Sequence, residues 1–465
     1  MKKLIAISVV FALIAGTAFA ADIAVDVAGN VKVVQGSTGG YHEVEEPDPS
    51  GTGTIKTREK DAATAGGQWA RIRISASGEN DEGTFGAWFR YDSLPPYEGN
   101  KTGWDESVEH AQAHAWWKPV EQVRLLFGGG PDGRFEQSGV TRWGFYQVAG
   151  DTRAVPEGFK FSDSFYQGWE DAGLNLTVTP MEAFEINLGI PFITQSQSGA
   201  GKDGLKHEYM KSHLQFAYTA DGIGTFAFTY KANTSYLKGS AKVWEYAKLD
   251  PTTLYDSSEF SKIFLYAGLT MIENLGIDFG LAYTLPVKYN EDYSSSVTAD
   301  PTKPGSIDVP AVEGSSLNPP IAIGLGAKYT AGDFGVKART QVKLAGKYVA
   351  SDGADAYKIP MNIIFDVLPS YNISESMIFL FSAGVDYTFK SGNDSDKDAD
   401  DNYARMGWHI HPYLAIKSSW WAPNLFIGLR LATDGEKYKD DGATNSKGGA
   451  ANINWSVPIG IIFSY

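Results

Sequence analysis

The chain is built from short segments in which apolar and polar residues alternate. In the last segment Trp455, Val457, Ile459 and the other odd-numbered residues form an apolar face, while mostly small or polar residues occupy the even positions. A period of two places successive side chains on opposite faces, so the segment predicts a β-strand with one apolar face. The alternation recurs in about eighteen segments, most of them near the ~9–11 residues that a tilted membrane-crossing strand needs. The predicted strands are 22–34, 69–77, 84–92, 110–117, 122–128, 173–179, 184–192, 212–219, 225–233, 262–271, 276–284, 321–330, 334–348, 358–367, 377–389, 405–417, 424–432 and 452–465.

The connections between these strands alternate in length. The short ones are 78–83, 118–121, 180–183, 220–224, 272–275, 331–333, 369–374 and 418–423. The long ones are 35–66, 93–107, 129–168, 193–206, 235–257, 286–317, 350–356, 390–403 and 434–449. Short turns on one side and long loops on the other are typical of outer-membrane barrels. We therefore predict an all-β fold, a closed antiparallel transmembrane barrel of about eighteen strands with sixteen as the alternative, and not a soluble β-helix or pair of sandwiches.

The N-terminus predicts a cleaved signal peptide. Lys2 and Lys3 form a basic start, residues 4–15 form an apolar segment too short to cross a bilayer, and 18–20 reads Ala-Phe-Ala, a small-residue cleavage site. Residues 1–20 are then the signal, and the mature barrel is expected to span 21–465 as a single unit. The chain contains no cysteine, which excludes disulfide scaffolds and thiolate metal sites.

The charge balance narrows the set of partners. The chain has a formal net charge of −15, which becomes −17 once the two signal-peptide lysines are removed. This acidity argues against nucleic acid as a partner. Outer-membrane lipid and small hydrophilic solutes are the expected partners, and no cofactor is expected.

Basic residues on the polar faces predict a charged lumen. A charge facing lipid costs about 2–4 kcal/mol at the bilayer midplane, so these side chains are expected to face water inside the barrel. The acids are expected mainly in the loops, so the channel should prefer anions modestly; generic wetting of the lumen is the alternative to a selectivity device. One basic row is predicted on the second, third and fifth strands and another on strand 334–348. The candidate pore-lining residues are Arg71, Arg73, Trp88, Arg90 and Arg124 in the first row, and Lys337, Arg339, Lys343 and Lys347 in the second.

The third long connection, 129–168, is the longest and carries many aromatic and charged residues. Polar loops rarely hold so many aromatics, so this loop is expected to fold into the barrel and narrow it. A surface loop packed on its own aromatics is the alternative. The candidate constriction residues are Asp132, Arg134, Glu136, Arg142, Trp143, Tyr146 and Asp151.

No motif assigns catalytic or metal-binding residues. Segment 394–398 opens like an EF-hand loop, but Ala399 and Arg405 stand where Gly and Glu are required, so it predicts a solvated acidic loop or at most loose calcium bridging. His409 and His411 share a strand face without an obvious third ligand. The sequence contains neither a Gly-x-Ser-x-Gly nor a Walker motif.

The signal peptide, the strand rhythm and the terminal aromatic Tyr465 together resemble the porins of the bacterial outer membrane. In that family the terminal strand is the signal for the barrel-assembly machinery and pairs with the first strand. The resemblance implies passive diffusion of small hydrophilic solutes through the outer membrane of a diderm bacterium, without enzymatic activity, with both termini periplasmic and a homotrimer as an expected assembly. Eighteen strands resemble the sugar-selective and basic-substrate channels more than the general porins, so uptake of a preferred solute, a sugar or an acidic compound, is the alternative. An outer-membrane hydrolase and an adhesin are weaker alternatives.

Overall fold

The structure is a computed structural model of the chain. It describes residues 22–37, 41–47, 54–60, 68–93, 109–129, 173–191, 212–232, 261–288, 316–318, 321–344, 346–349, 355–359, 361–389, 405–417, 424–433, 437–440, 445–447, 450–451 and 453–464. Every regular element in these ranges is a β-strand. Within the same ranges no helix has the length and apolar character needed to cross a membrane. The predicted signal peptide, the third long loop and Tyr465 lie outside the described residues.

The strands follow one another closely along the chain. They are β1 (Asp22–Ser37), β2 (Tyr41–Pro47), β3 (Thr54–Lys60), β4 (Gln68–Glu79), β5 (Phe85–Ser93), β6 (Glu109–Val120), β7 (Val123–Gly128), β8 (Gly173–Met181), β9 (Phe184–Pro191), β10 (His213–Ala220), β11 (Gly224–Lys231), β12 (Lys262–Ile272), β13 (Leu275–Thr284), β14 (Val287–Lys288), β15 (Ser316–Asn318), β16 (Ile321–Ala331), β17 (Phe334–Lys343), β18 (Gly346–Val349), β19 (Asp355–Ile359), β20 (Asn362–Ser374), β21 (Met377–Thr388), β22 (Arg405–Lys417), β23 (Asn424–Gly428), β24 (Arg430–Thr433), β25 (Lys437–Asp440), β26 (Asn445–Lys447), β27 (Ala450–Ala451) and β28 (Asn454–Ser464).

One antiparallel sheet contains 19 of these strands. Its pairings follow chain order from β4 to β13, continue through β16, β17, β20, β21 and β22, and reach β28 by way of β23 and β24, which lie end to end. The first and last of these strands meet in the sheet, because β1 pairs with β4 along one edge and with β28 along the other. Within β1, for example, Gly29 lies opposite Ala70 on one side and Ile461 on the other.

The large sheet exposes its apolar face and buries its polar face. On β20 the exposed fraction changes from 1% at Ile364 to 48% at Phe365 and 0% at Asp366. A soluble sandwich would instead bury its apolar faces against each other. The exposed apolar face includes Ile74, Phe85, Trp117, Phe127, Phe226, Phe228, Leu265, Phe279, Leu325, Phe365, Phe379, Val385, Ile410, Leu425 and Ile427. The buried polar face includes Asn175, Thr177, Asn187, His213, Gln215, Thr229, Lys262, Asp278, Arg339, Gln341, Lys343, Asn362, Asp366, Ser382, Asp386, His409, His411 and Ser456.

Aromatic residues of the apolar face lie near both ends of the strands. On β21, Phe379 is close to the short turn and Tyr387 follows eight residues later. With ~3.4 Å per residue and the ~40° strand tilt of outer-membrane barrels, these rings would be ~20 Å apart along the membrane normal, close to the ~25 Å apolar band of such barrels. Phe85 and Trp117 lie opposite each other in the same way near the short turns of β5 and β6.

Three predicted strand boundaries are wrong. The predicted strand 334–348 is divided, because β17 ends at Lys343 and β18 belongs to a separate four-stranded sheet with β14, β15 and β19. The predicted strand 358–367 is divided in the same way between β19 and β20. The predicted strand 424–432 is interrupted at Leu429. In each case apolar and polar residues keep alternating across the break, so the pattern alone cannot mark it.

Two kinds of predicted connection also differ from the structure. The short connection 369–374 is wrong, since β20 continues to Ser374 and the turn is Glu375–Ser376. Pro369 reads as a turn residue in the sequence, but it lies within the sheet opposite Val336. Three predicted long loops contain short strands. Loop 35–66 contains the β2–β3 hairpin, loop 286–317 contains β14 and the start of β15, and the region of loop 434–449 contains the small β25–β26–β27 sheet.

Candidate functional site: the polar face

Strands β4 to β7 carry half-buried basic and aromatic side chains on the polar face, which we call the half-exposed wall: Arg73, Trp88, Arg90, His114, Trp116 and Arg124. Arg90 lies opposite Ser75 on β4 and Gln112 on β6. Arg73 has aspartates as register partners on both neighbouring strands, Asp26 on β1 and Asp92 on β5. Parity already places Asp92 on the face of Arg90 in the sequence, whereas the pairing of Asp26 with Arg73 follows only from the register of β1 and β4.

The aromatic rings of the half-exposed wall contact one another across the strands. Trp88 stacks on His114, its cross-strand partner, with ring centroids 5.0 Å apart and an interplanar angle of 22°. His114 is 6.2 Å from the ring of Trp116, over which the Arg124 guanidinium carbon lies at 5.6 Å. This geometry permits a cation–π contact. Sequence analysis missed His114 and Trp116 as members of this wall, although their parity on the strand matches that of Gln112.

A second set of polar residues is almost fully buried on β17 to β22, and we call it the buried wall: Arg339, Asp366, Ser382 and His409. Arg339 Nε donates to Asp366 Oδ2 at 3.0 Å, and the two residues are cross-strand partners. The other carboxylate oxygen of Asp366 is 3.9 Å from His409 Nε2. Gly384 lies between Asp366 and His409 in the register, where an added Cβ would collide with both side chains. A side chain at this position would therefore break the contact.

Ser382, His409 and Asp366 combine the residue types of a serine hydrolase, but their geometry differs from a catalytic triad. Ser382 Oγ is 3.3 Å from His409 Nε2, and Asp366 Oδ1 is 3.9 Å from that same nitrogen. A triad needs the serine and the aspartate on opposite ring nitrogens, so that the ring can pass a proton from one side while held from the other. Ser382 is also fully buried. The cluster is therefore arranged as a packed polar contact.

A ladder of hydrogen bonds crosses four neighbouring strands, β8 to β11. Thr177 Oγ1 donates to Asn187 Oδ1 at 2.7 Å, Asn187 Nδ2 donates to Gln215 Oε1 at 3.2 Å, and Gln215 Nε2 donates to Thr229 Oγ1 at 2.9 Å. Asn187 Nδ2 also donates to Glu185 Oε1 at 2.7 Å. Because all four ladder residues are buried, these bonds supply partners that water would otherwise provide.

The predicted pore-lining residues fall into three groups. Arg73, Trp88, Arg90, Arg124, Lys337, Arg339 and Lys343 share the polar face of the large sheet. Arg71 lies on β4 opposite Ala28. Lys347 is corrected: it is an exposed residue of β18, outside the large sheet, because that strand breaks after Lys343.

The predicted second basic row is also less uniform than the sequence indicated. Lys337 is exposed near the short turn and lies opposite Lys328, whereas Arg339 is buried against Asp366. The expectation that acids lie mainly in the loops missed residues of the polar face: Glu185, Asp278, Asp366 and Asp386. Asn362 Nδ2 donates to Asp386 Oδ1. The candidate constriction residues lie outside the described residues.

A metal site has no support among the residues that the structure describes. They contain no group of three or more His, Cys, Asp or Glu side chains that could hold a metal ion. His409 and His411, the pair noted in the sequence, both lie on the polar face of β22.

Comparison with known proteins gives matches only among solved structures. No protein-family model matches the chain, and no curated protein matches it. The similar structures include OpdL of Pseudomonas aeruginosa (10% identity, TM-score 0.48, 96% of this chain and 98% of that chain). They also include OmpF of Salmonella typhi in complex with daunomycin (11%, 0.47, 96% and 97%). A third is an anion-selective porin from Comamonas acidovorans (13%, 0.43, 96% and 99%).

Proposed function

We propose that this chain is an outer-membrane porin, a passive diffusion channel for small hydrophilic solutes. The observation that carries the proposal is the inverted sheet: an apolar face exposed along most of the strands and a polar face buried on the other side. Exposed apolar area of this extent is unfavourable in water and favourable in lipid. A polar face enclosed by that sheet provides the surface that a hydrated solute needs for passage.

The sheet is proposed to close as a barrel of eighteen strands. The pairing of β1 with both β4 and β28 supports closure, and β23 and β24 together take one position between β22 and β28. Closure also removes exposed backbone donors and acceptors, which hydrocarbon does not tolerate. Both termini are proposed to lie in the periplasm, on the side of the short turns, with cleavage after Ala20 and assembly directed by the strand that ends at Tyr465.

The alternative, a channel for a preferred solute, is favoured by the half-exposed wall. Trp88 and Trp116 provide flat apolar surfaces, Arg124 provides positive charge over the Trp116 ring, and Arg90 adds a second positive charge on the same face. Such a wall would suit sugars or acidic solutes, since ring faces pack on aromatic surfaces and anions are attracted by guanidinium groups. A catalytic role is not proposed, because the serine and the aspartate beside His409 approach the same ring nitrogen.

Planar-bilayer recording tests the channel function. The folded protein should produce discrete conductance steps in KCl, and liposomes containing it should swell in small sugars at rates that fall with sugar size. Protein unfolded by boiling in detergent is the control. Absence of both steps and swelling in correctly folded protein would overturn the proposal.

The third loop and the assembly state complete the proposal. Loop 129–168 is proposed to fold into the channel, so its shortening should raise single-channel conductance. A homotrimer is proposed as well: one of the similar structures, OmpT of Vibrio cholerae, is a trimer form. Sedimentation of the protein in detergent, with the detergent mass subtracted, distinguishes a trimer from a monomer.

A further inference from the structure

Three polar residues share one region of the polar face on β22, β24 and β28. Arg430 on β24 lies opposite Ser456 on β28. The pairing of Ile410 with Leu431 places His411 beside Arg430 on the other side. The half-buried Arg430 is therefore flanked by a histidine and a serine from the two neighbouring strands.

The two flanking residues hold polar atoms that lack a hydrogen bond. His411 is 6% exposed and Ser456 is 4% exposed, yet His411 Nε2 and Ser456 Oγ are buried without a partner. Buried polar atoms are nearly always hydrogen-bonded, because leaving one unmet forfeits its hydration. A group bound beside the arginine would supply the hydrogen bonds that these two atoms lack.

The His411 ring leans toward the end of β23, two residues before Arg430. His411 Nε2 is 3.1 Å from where a Cβ at Gly428, the last residue of β23, would lie. The chain is interrupted at Leu429, between β23 and β24; Leu429 donates its backbone N–H to the Pro412 carbonyl of β22, and the register places Pro458 of β28 opposite Gly428. Each proline removes one backbone donor from the ladder, which explains the interruption just before Arg430.

We propose that His411, Arg430 and Ser456 form a binding site for an oxyanion, such as the carboxylate or phosphate group of a permeating solute. Arg430 supplies positive charge and N–H donors, His411 donates from Nε2, and Ser456 donates its hydroxyl. An oxyanion is the class of ligand that accepts from all three at once. This assignment rests on the proposed channel function, because the solute must reach the polar face from the channel interior.

Calorimetry on the full-length protein in detergent tests the site, with inorganic phosphate and acetate as separate probes at constant ionic strength in chloride. Wild type should bind at least one probe saturably. Arg430→Gln should weaken that binding about tenfold or more, and Ser456→Ala about threefold, because each removes a donor to the anion. Lys328→Gln is the charge-matched control and Ser376→Ala the hydroxyl control; both should retain wild-type affinity. Preference for phosphate or acetate shows which oxyanion chemistry the site selects.

Two results would overturn the site. One is no saturable binding of either probe by folded wild type; the other is equal affinity in wild type and Ser456→Ala, a change small enough to preserve folding. Circular dichroism and the unfolding midpoint of each variant establish its folded state. Conductance in KCl, recorded on the same preparations, separates the two proposals: channels without oxyanion binding refute only the site, and saturable binding without channels refutes only the porin function.

Discussion

The half-exposed wall on β4 to β7 and the buried wall on β17 to β22 both carry arginine on the polar face, but in different surroundings. Arg90 and Arg124 are half-buried, the second over the Trp116 ring, whereas Arg339 is 4% exposed and bonded to a fully buried aspartate. A buried, paired charge contributes little to the field at a distance because its partner cancels it. A half-exposed charge would act on a solute in the proposed channel, and salt would screen it.

Residue type and parity therefore do not distinguish a buried, paired arginine from a half-exposed one. The sequence places Arg339 and Arg90 on the same kind of face, and by that measure they are equivalent. In the structure their surroundings differ, since the ion pair with Asp366 makes Arg339 part of the packing of the buried wall. Stability should therefore depend on the buried wall and ion preference on the half-exposed wall.

The largest expected effect is on the buried wall. Asp366→Asn removes the carboxylate charge bonded to the buried Arg339, and breaking a buried pair in this way costs about 3–5 kcal/mol of folding stability. Arg90→Gln on the half-exposed wall should cost less than ~1 kcal/mol. Denaturant unfolding of the two variants in lipid vesicles measures the contrast. Equal losses of stability would remove the distinction between the walls.

A charge on the apolar face should have the next largest effect. Leu325, on β16, is 48% exposed, and its replacement by arginine should destabilise the protein by about 2–4 kcal/mol if it faces the bilayer near midplane. Leu325→Phe, which changes size without adding charge, should remain close to wild type. The same unfolding measurement applies. An arginine tolerated at this position would indicate that the apolar face does not contact lipid.

A smaller effect is expected in the hydrogen-bond ladder of β8 to β11. Gln215→Leu removes the central link and leaves the amide of Asn187 and the hydroxyl of Thr229 each with one partner fewer. Leaving buried polar groups unmet costs about 1–3 kcal/mol. Thr219→Val, at an exposed position on the same strand, is the control. If Gln215→Leu does not change stability, water reaches the polar atoms of the ladder and replaces the lost hydrogen bonds.

The smallest effect is expected in ion preference. The channel should prefer anions modestly at low ionic strength, and Arg73→Gln/Arg90→Gln should reduce that preference, because these charges belong to the half-exposed wall. Reversal potentials across a KCl gradient measure it, and raising the salt concentration should weaken it by screening. Cation selectivity in both the wild type and the double variant would contradict this prediction. It would indicate that acidic residues set the field, among them Asp26 and Asp92, the register partners of Arg73.

Much of the sheet could be predicted because a strand with one apolar face has alternating apolar and polar residues in the sequence. The predicted bounds of β22, 405–417, match the structure since its alternation ends abruptly at both ends. The breaks after Lys343 and before Asn362 could not be predicted, because the alternation runs on into β18 and β19. Pairing with a different neighbour, and not a change of pattern, ends these strands in the large sheet.

The candidate site was predictable only as a face. Parity placed Arg339 and His409 on the polar side, but their contact with Asp366 depends on the registers of β17, β20, β21 and β22, which single strands do not reveal. Gly384 gave no sequence signal either, since its value lies in the space it leaves for two neighbours on adjacent strands.

In the proposed function the polar face lines a water-filled path and the apolar face contacts lipid. Because the chain contains no cysteine, single cysteines at two adjacent residues of β5 test it directly. A charged, membrane-impermeant thiol reagent should change the single-channel conductance of Arg90→Cys and leave that of Phe89→Cys unchanged. A response at Phe89→Cys without one at Arg90→Cys, or no conductance from either folded variant, would contradict the claim.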